Sequence, residues 1–213
     1  MDAYFSMAYL APVEYYAQLI NSDRCFIERY DSYIKQTYRN RCFIAGPEGR
    51  QILTVPVEKS DSPKCLMKDV RISDHGNWRH LHLTALESAY GNTPYFEFYR
   101  DDFVPFYERK FEFLVDFDME LCHMVCSLLD IEPDIRLTDN YKTAFADGEH
   151  DFRDVIHPKK DYREVDAEFH PAEYYQVFGR QHGFLPNLSI VDLLFNMGPE
   201  SVIILKKSIV PHA

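Results

Sequence analysis

A strand, a short helix and a second strand follow one another at the start of this chain, and that order leaves few folds open. Tyr4-Phe5-Ser6-Met7-Ala8-Tyr9-Leu10 is apolar enough for a buried strand. Pro12 stands where a helix can begin, because its fixed φ suits the first helical positions. From Glu14 to Asn21 the apolar residues Tyr15, Tyr16, Leu19 and Ile20 fall at helical spacing. Arg24 to Tyr30 returns to strand character through Cys25, Phe26 and Ile27. Two strands joined by so short a helix are expected to pair in parallel through a right-handed crossover. The expected fold class is α/β: one domain over residues 1–213, with a mixed sheet, an N-terminal parallel βαβ crossover and flanking helices.

The rest of the chain fits that frame. Arg41 to Ala45 and Gln51 to Val57 flank Gly46-Pro47-Glu48-Gly49 and predict a hairpin, whose second strand must end near Pro56 because proline cannot donate to a ladder. A charged loop from Lys59 to Lys64 leads to a short strand at Val70-Arg71-Ile72. Helices are predicted over Trp78 to Tyr90, stopped by Gly91, and over Phe113 to Leu129, with an aromatic-rich segment, helical or irregular, from Tyr95 to Arg109. Asp139 to Pro171 is charged and aperiodic, and predicts a long surface loop. Leu188 to Phe195 predicts a helix with Ser189 as N-cap and Asp192 three residues on, ended by Gly198-Pro199.

Charge narrows the function classes. The chain has a formal net charge of -11, which repels a nucleic-acid backbone, and only Lys206 and Lys207 sit together near the C-terminus. Nucleic acid is therefore not an expected partner. Asp2 and Glu14 interrupt any secretory signal, and no stretch reaches the roughly 20 apolar residues of a membrane span. The 5 cysteines have no framework spacing, so a reducing cytoplasm is the expected location. With 15 Tyr and 16 Phe the chain suits either an aromatic core or an aromatic-lined groove. No glycine-rich phosphate loop, serine-hydrolase elbow or zinc-protease signature occurs, and no cofactor is assigned.

Several residues could carry chemistry. Arg39-Asn40-Arg41, with Lys35 upstream, is the best anion-binding candidate, since arginine holds phosphate or carboxylate through two parallel hydrogen bonds. The competing reading pairs these arginines with Asp31 or Glu28. Trp78, His80 and His82 form a second cluster; on a helix the two histidines point to nearly opposite sides, about 200° apart, so they cannot share a metal. His82 is a candidate general base, or else a buried hydrogen-bonded histidine. Cys122 and Cys126 share a helix face but lack a second pair to complete a tetrahedral site, which favours core packing. Asp151, Arg153, His157 and Lys159, with Tyr174, Tyr175 and Gln176 beyond, could close over a ligand or form an ordinary solvated loop. Asp192 and Asn196 share one helix face and suit packing or a site.

Tyr9-Leu10-Ala11-Pro12 with Tyr16 to Ile20, Tyr33-Ile34-Lys35 with Arg39-Asn40-Arg41, and Leu53-Thr54-Val55-Pro56-Val57 follow one another in an order that resembles the WbqC-like proteins. Trp78-Arg79-His80-Leu81-His82-Leu83, Ser88-Ala89-Tyr90, Pro94-Tyr95-Phe96 and the closing Pro186 to Asn196 continue the resemblance. Two departures stand out: Met7 and Ala8 occupy places where the family usually has Gln-Pro, and Arg29-Tyr30 replaces an acidic pair, with Glu28 and Asp31 on either side. The resemblance implies a transferase-like or sugar-nucleotide-binding protein of surface-polysaccharide (O-antigen) or amino-sugar biosynthesis. Its expected ligand is an anionic small molecule, a nucleotide sugar, held by Lys35, Arg39, Asn40 and Arg41 with Tyr33 and Trp78, and His82 moving the proton. The alternative is a non-catalytic binding or scaffolding protein whose active site has degenerated.

Overall fold

The computed structural model describes residues 1–59 and 64–210. Strand β1 (Asp2–Ser6), helix α1 (Val13–Ile20) and strand β2 (Arg24–Glu28) form the expected crossover, with β1 and β2 parallel from Asp2 opposite Arg24 to Ser6 opposite Glu28. The middle of β1 is buried on both faces, as a strand inside a parallel sheet must be. Strand β1 stops four residues short of its apolar run: Leu10 takes a positive φ of 41°, and the Tyr9 amide donates to the Tyr38 carbonyl (2.9 Å). Met7 to Leu10 therefore leave the sheet as a turn.

The hairpin is strands β3 (Arg41–Gly46) and β4 (Gly49–Thr54), antiparallel around Pro47-Glu48, with Gly49 at a φ of 101°. Strand β4 ends two residues before Pro56. Helices α2 (Trp78–Tyr90), α3 (Phe96–Glu108) and α4 (Leu114–Leu128) follow, the aromatic-rich segment being one continuous helix. Strands β5 (Ile135–Leu137) and β6 (Glu149–Asp151) complete a four-stranded parallel sheet in the order β5-β2-β1-β6. Short helices α5 (Tyr162–Val165) and α6 (Gly179–His182) precede α7 (Ile190–Met197) and α8 (Ser201–Lys207). The α/β class holds, and its parallel and antiparallel strands lie in two separate sheets among the described residues.

Three local expectations need correction. Val70-Arg71-Ile72 is no strand; it makes isolated bridges from Arg71 to Phe113 and from Ile72 to Val57. The stretch from Asp139 to Pro171 is no mere surface loop, because it contributes β6 to the sheet edge and buries Phe152, Ile156 and Phe169. Ser189 sits at the N-cap of α7 without capping it, since its hydroxyl donates to the Leu10 carbonyl (2.7 Å) and so ties α7 to the end of the β1 turn. Residues 60–63 of the charged loop after Lys59 lie outside the described residues.

One apolar cluster joins the sheet, hairpin and helices, with α1 against α7 and α8. Asp192 lies fully buried within it and accepts from Tyr90 (2.9 Å), Tyr174 (2.7 Å) and Gln176 (2.8 Å); the Tyr90 hydroxyl in turn receives the Ala45 amide (3.0 Å). The carboxyl thus locks α2, α7, the hairpin and the C-terminal loop together. Removing it strands several donors away from water, at about 1–3 kcal/mol for each group left unpaired. Asp192→Ala is expected to lose about 3 kcal/mol of stability in urea unfolding, and a loss under about 1 kcal/mol would contradict this role.

Candidate functional site at the carboxyl edge of the parallel sheet

In an open α/β sheet the loops leaving the carboxyl ends of the strands diverge where the connections change direction, which opens a crevice. Here that point lies between β1 and β6, since β1 leads to β2 and β5 on one side while β6 returns on the other. The chain places a dense polar network there. Glu28, the fully buried last residue of β2, accepts from Thr138 Oγ1 (2.7 Å), the Tyr30 amide (2.8 Å) and Arg153 Nη1 (3.2 Å). Arg153, just past β6, also donates through Nε and Nη2 to the two Asp151 oxygens (both 2.7 Å), and its guanidinium lies 4.7 Å over the Tyr141 ring. Arg39, from the 3-10 turn Tyr38–Asn40, pairs with Asp31 and donates to Ser6 Oγ (2.8 Å). The Ser6 hydroxyl closes the circuit by donating to the Arg153 carbonyl (3.1 Å).

Two open clefts flank this network. The first, about 430 Å³, is lined by Tyr30, Asp31, Ser32, Ile34, Arg39, Tyr141, Arg153 and Asp154. The second, about 370 Å³, is lined by Tyr38, Arg50, Lys159, Lys160, Asp161, Tyr162, Arg163 and Asn187 among others. Between them a narrow cavity, with space of only about 10 Å³, touches both, sharing Arg39 with the first and Tyr38 with the second. Met7 and Ala8, which stand where the resembling proteins usually carry Gln-Pro, line this narrow cavity.

The second cleft is cationic. Its four cations face one carboxylate, Asp161, which engages Arg163 (2.7 Å). Arg50 donates to the Pro186 carbonyl (2.6 Å), Lys159 to Gln36 Oε1 (2.7 Å) and Lys160 to the Asp154 carbonyl (2.6 Å), so these three bond neutral oxygens. His157 sits between Ile156 of the narrow cavity and Pro158 of the second cleft. Its Nδ1 receives the Lys159 amide (3.1 Å). Burial, then Lys160 and Arg39, pull its pKa below the ordinary histidine value, which favours the neutral ring. Beside this cleft Glu14 is buried, hydrogen-bonded to the lining residue Asn187 (2.8 Å) and next to Asp166; burial pushes its pKa up to about 8.

The residues expected from sequence are only partly gathered here. Arg39 lines the first cleft and makes the ion pair to Asp31 that the sequence allowed. Lys35 is exposed, while Tyr33 and Arg41 are half-buried. Asn40 is buried and donates to the Val55 carbonyl (2.8 Å). Trp78 is buried, its indole donating to the Ser73 carbonyl (3.0 Å). His82, only 5% exposed, lies 5.2 Å from Trp78 ring to ring and meets the Tyr9 hydroxyl through Nδ1 (2.9 Å), which in turn bonds Tyr107 (2.8 Å). Burial lowers its pKa to about 4, partly offset by the Thr54 backbone. Tyr107 opens on a third cleft of about 440 Å³ with Asp74, Arg79, His80 and Lys110. Thus Lys35, Asn40, Arg41, Tyr33, Trp78 and His82 line neither carboxyl-edge cleft.

Sequence reasoning missed Asp118. It is 1% exposed with neither carboxyl oxygen hydrogen-bonded, and burial pushes its pKa well above the ordinary carboxylate range, which favours the neutral acid. The signal was available: Asp118 falls between Leu114 and Leu121 on the apolar stripe of α4, where a helix buries its side chains. Cys122 and Cys126 are buried on the same helix, and the described residues hold no group of three or more His, Cys, Asp or Glu placed to bind a metal.

The fold is α/β, with a polar crevice at the carboxyl edge of its parallel sheet. The chain belongs to the WbqC-like protein family, whose model matches residues 8–157 and 153–204. It is also similar to the uncharacterized protein Rv1507c of Mycobacterium tuberculosis (strain ATCC 25618 / H37Rv), at 27% identity over 194 residues, covering 79% of this chain and 81% of that protein. No solved structure matches it. No helix among the described residues is long and apolar enough to cross a membrane.

Proposed function

We propose that the protein binds a phosphorylated small molecule, of the nucleotide-sugar class, at the carboxyl edge of its parallel sheet. The observation that carries this reading is the cationic cleft of Arg50, Lys159, Lys160 and Arg163 in a chain of net charge -11. Against so acidic a background, a local group of cations with few carboxylates focuses an anion. The phosphates lie among these side chains, beside Tyr38 and Tyr162. His82 stays neutral and buried, its Nδ1 on the Tyr9 hydroxyl, which in turn meets Tyr107. The nucleotide-sugar class and a place in surface-polysaccharide synthesis come from the WbqC-like resemblance, and a cytoplasmic setting from the unpaired cysteine pattern.

Thermal unfolding against uridine, guanosine and thymidine diphosphate sugars tests the reading. A ligand at a hundredfold excess over its Kd adds about 2.7 kcal/mol of stability. At least one compound is expected to stabilise the protein, with the effect falling steeply as salt is added. Arg50→Ala and Lys159→Ala, both at exposed positions, are expected to weaken binding tenfold or more without lowering the Tm of the free protein. No response to any compound, or unchanged affinity in both cation variants, would overturn the proposal and favour a scaffolding protein with a degenerate site.

A further inference from the structure

The two carboxyl-edge clefts differ in charge balance. The cations of the first are already matched: Arg39 by Asp31, and Arg153 by Asp151 and Glu28. Such a cleft offers a second anion little. What it does offer is an acceptor. Asp31 is 7% exposed, its Oδ2 is taken by Arg39, and its Oδ1 is buried without a hydrogen-bond partner. A buried acceptor of this kind is unfavourable until a donor reaches it. The opposite wall supplies an apolar platform, the Tyr141 ring, 49% exposed and held against the Arg153 guanidinium. The unpartnered Asp31 oxygen, the exposed Asp154, fixed guanidinium groups and an aromatic face together suit an uncharged ring with hydroxyls on its edge and C–H groups on its face.

We propose that the first cleft holds the uncharged, polyhydroxylated half of a bipartite ligand whose phosphates occupy the cationic cleft, with Asp31 Oδ1 accepting from a ring hydroxyl and Tyr141 stacking on the ring. This rests on the phosphate-binding reading above. The two clefts each share a lining residue with the same narrow cavity, Arg39 and Tyr38, which are neighbours in the chain, so both lie along one edge of the sheet. For a nucleoside diphosphate sugar, the sugar is the half that the first cleft recognises. At Asp31 only Oδ1 is without a partner, which suits a single hydroxyl donor.

Isothermal titration separates the halves. Each uridine, guanosine and thymidine diphosphate sugar is compared with its own nucleoside diphosphate, on the wild type, Tyr141→Ala and Asp31→Asn. The wild type is expected to bind the sugar nucleotide at least tenfold more tightly than the diphosphate. Tyr141→Ala, at a half-exposed position that leaves the fold intact, is expected to erase that difference while changing diphosphate affinity less than twofold. Asp31→Asn should do the same where its Tm shows it folded. Equal affinities in the wild type, or a tenfold preference that survives in Tyr141→Ala, would overturn the assignment. Equal losses for sugar nucleotide and diphosphate would overturn it too, by putting the nucleoside in this cleft. Failure of every compound to bind would instead remove the phosphate reading on which it rests.

Discussion

Gly198→Ala is expected to destabilise the protein by about 4 kcal/mol, a large fraction of the stability of a typical domain. Gly198 ends α7 at φ 54° and ψ -128°, a conformation that side-chain-bearing residues rarely adopt. A Cβ there would also stand 2.4 Å from Cδ1 and 2.5 Å from Cε1 of Tyr95. The clash also includes Cγ at 2.6 Å, so relieving it requires the whole Tyr95 ring to turn away from a backbone held by its amide bond to the Phe195 carbonyl (3.1 Å). Backbone strain contributes about 1–3 kcal/mol and overpacking a similar amount. Gly148 provides the control: its φ is also positive, at 84°, but a Cβ added there would meet nothing within 4 Å, so Gly148→Ala is expected to lose only the strain component. Urea unfolding of both variants distinguishes the two contributions, and equal losses would contradict the clash with Tyr95.

The second large effect is a pH dependence. Glu14 is 2% exposed, and its pKa is pushed up by burial to about 8, with Asn187 opposing and Asp166 reinforcing the shift. A carboxyl that binds its proton more tightly when folded supports the fold below pH 4.5, and that support is lost as pH rises towards about 8. The shift corresponds to several kcal/mol at most, at about 1.4 kcal/mol per unit. Glu14→Gln carries no proton to lose. It is therefore expected to match the wild type near pH 4 and to exceed it by roughly 3–5 kcal/mol near pH 9. His82 acts in the opposite window. Its pKa falls from 6.5 to about 4, so the unfolded chain takes up the proton first and stability is lost as pH drops through that range. The two windows overlap between the ordinary values of 4.5 and 6.5, where the opposing slopes leave a plateau, with loss on either side. A Glu14→Gln variant with the same pH profile as the wild type would show that Glu14 is not held protonated.

The contrast between what was legible in the sequence and what was not has physical causes. The β1-α1-β2 crossover, the hairpin and the long helices were readable because apolar spacing sets each of them locally. Strand β6 was not, because Glu149-His150-Asp151 is a three-residue edge strand, and edge strands carry charge that masks strand character. The end of β1 was misplaced because Tyr9 and Leu10 are buried by the turn rather than by the sheet. At the site, Arg39 stood out within a run of cations, and the loop group of Asp151, Arg153, His157 and Lys159 was visible as a concentration of polar residues. The cationic cleft was hidden, since Tyr38, Arg50, Lys160 and Arg163 are neighbours only after the hairpin and the loop past β6 fold onto the same edge.

The central claim is that the carboxyl edge of the parallel sheet binds the ligand. Backbone amide NMR during titration with the diphosphate-sugar panel tests it most directly. The largest shifts are expected at residues 37–39 and 153–163 and at Arg50, with little change in the α2–α3 cleft between Asp74 and Lys110. Shifts confined to that α2–α3 cleft, or none at all, would contradict it.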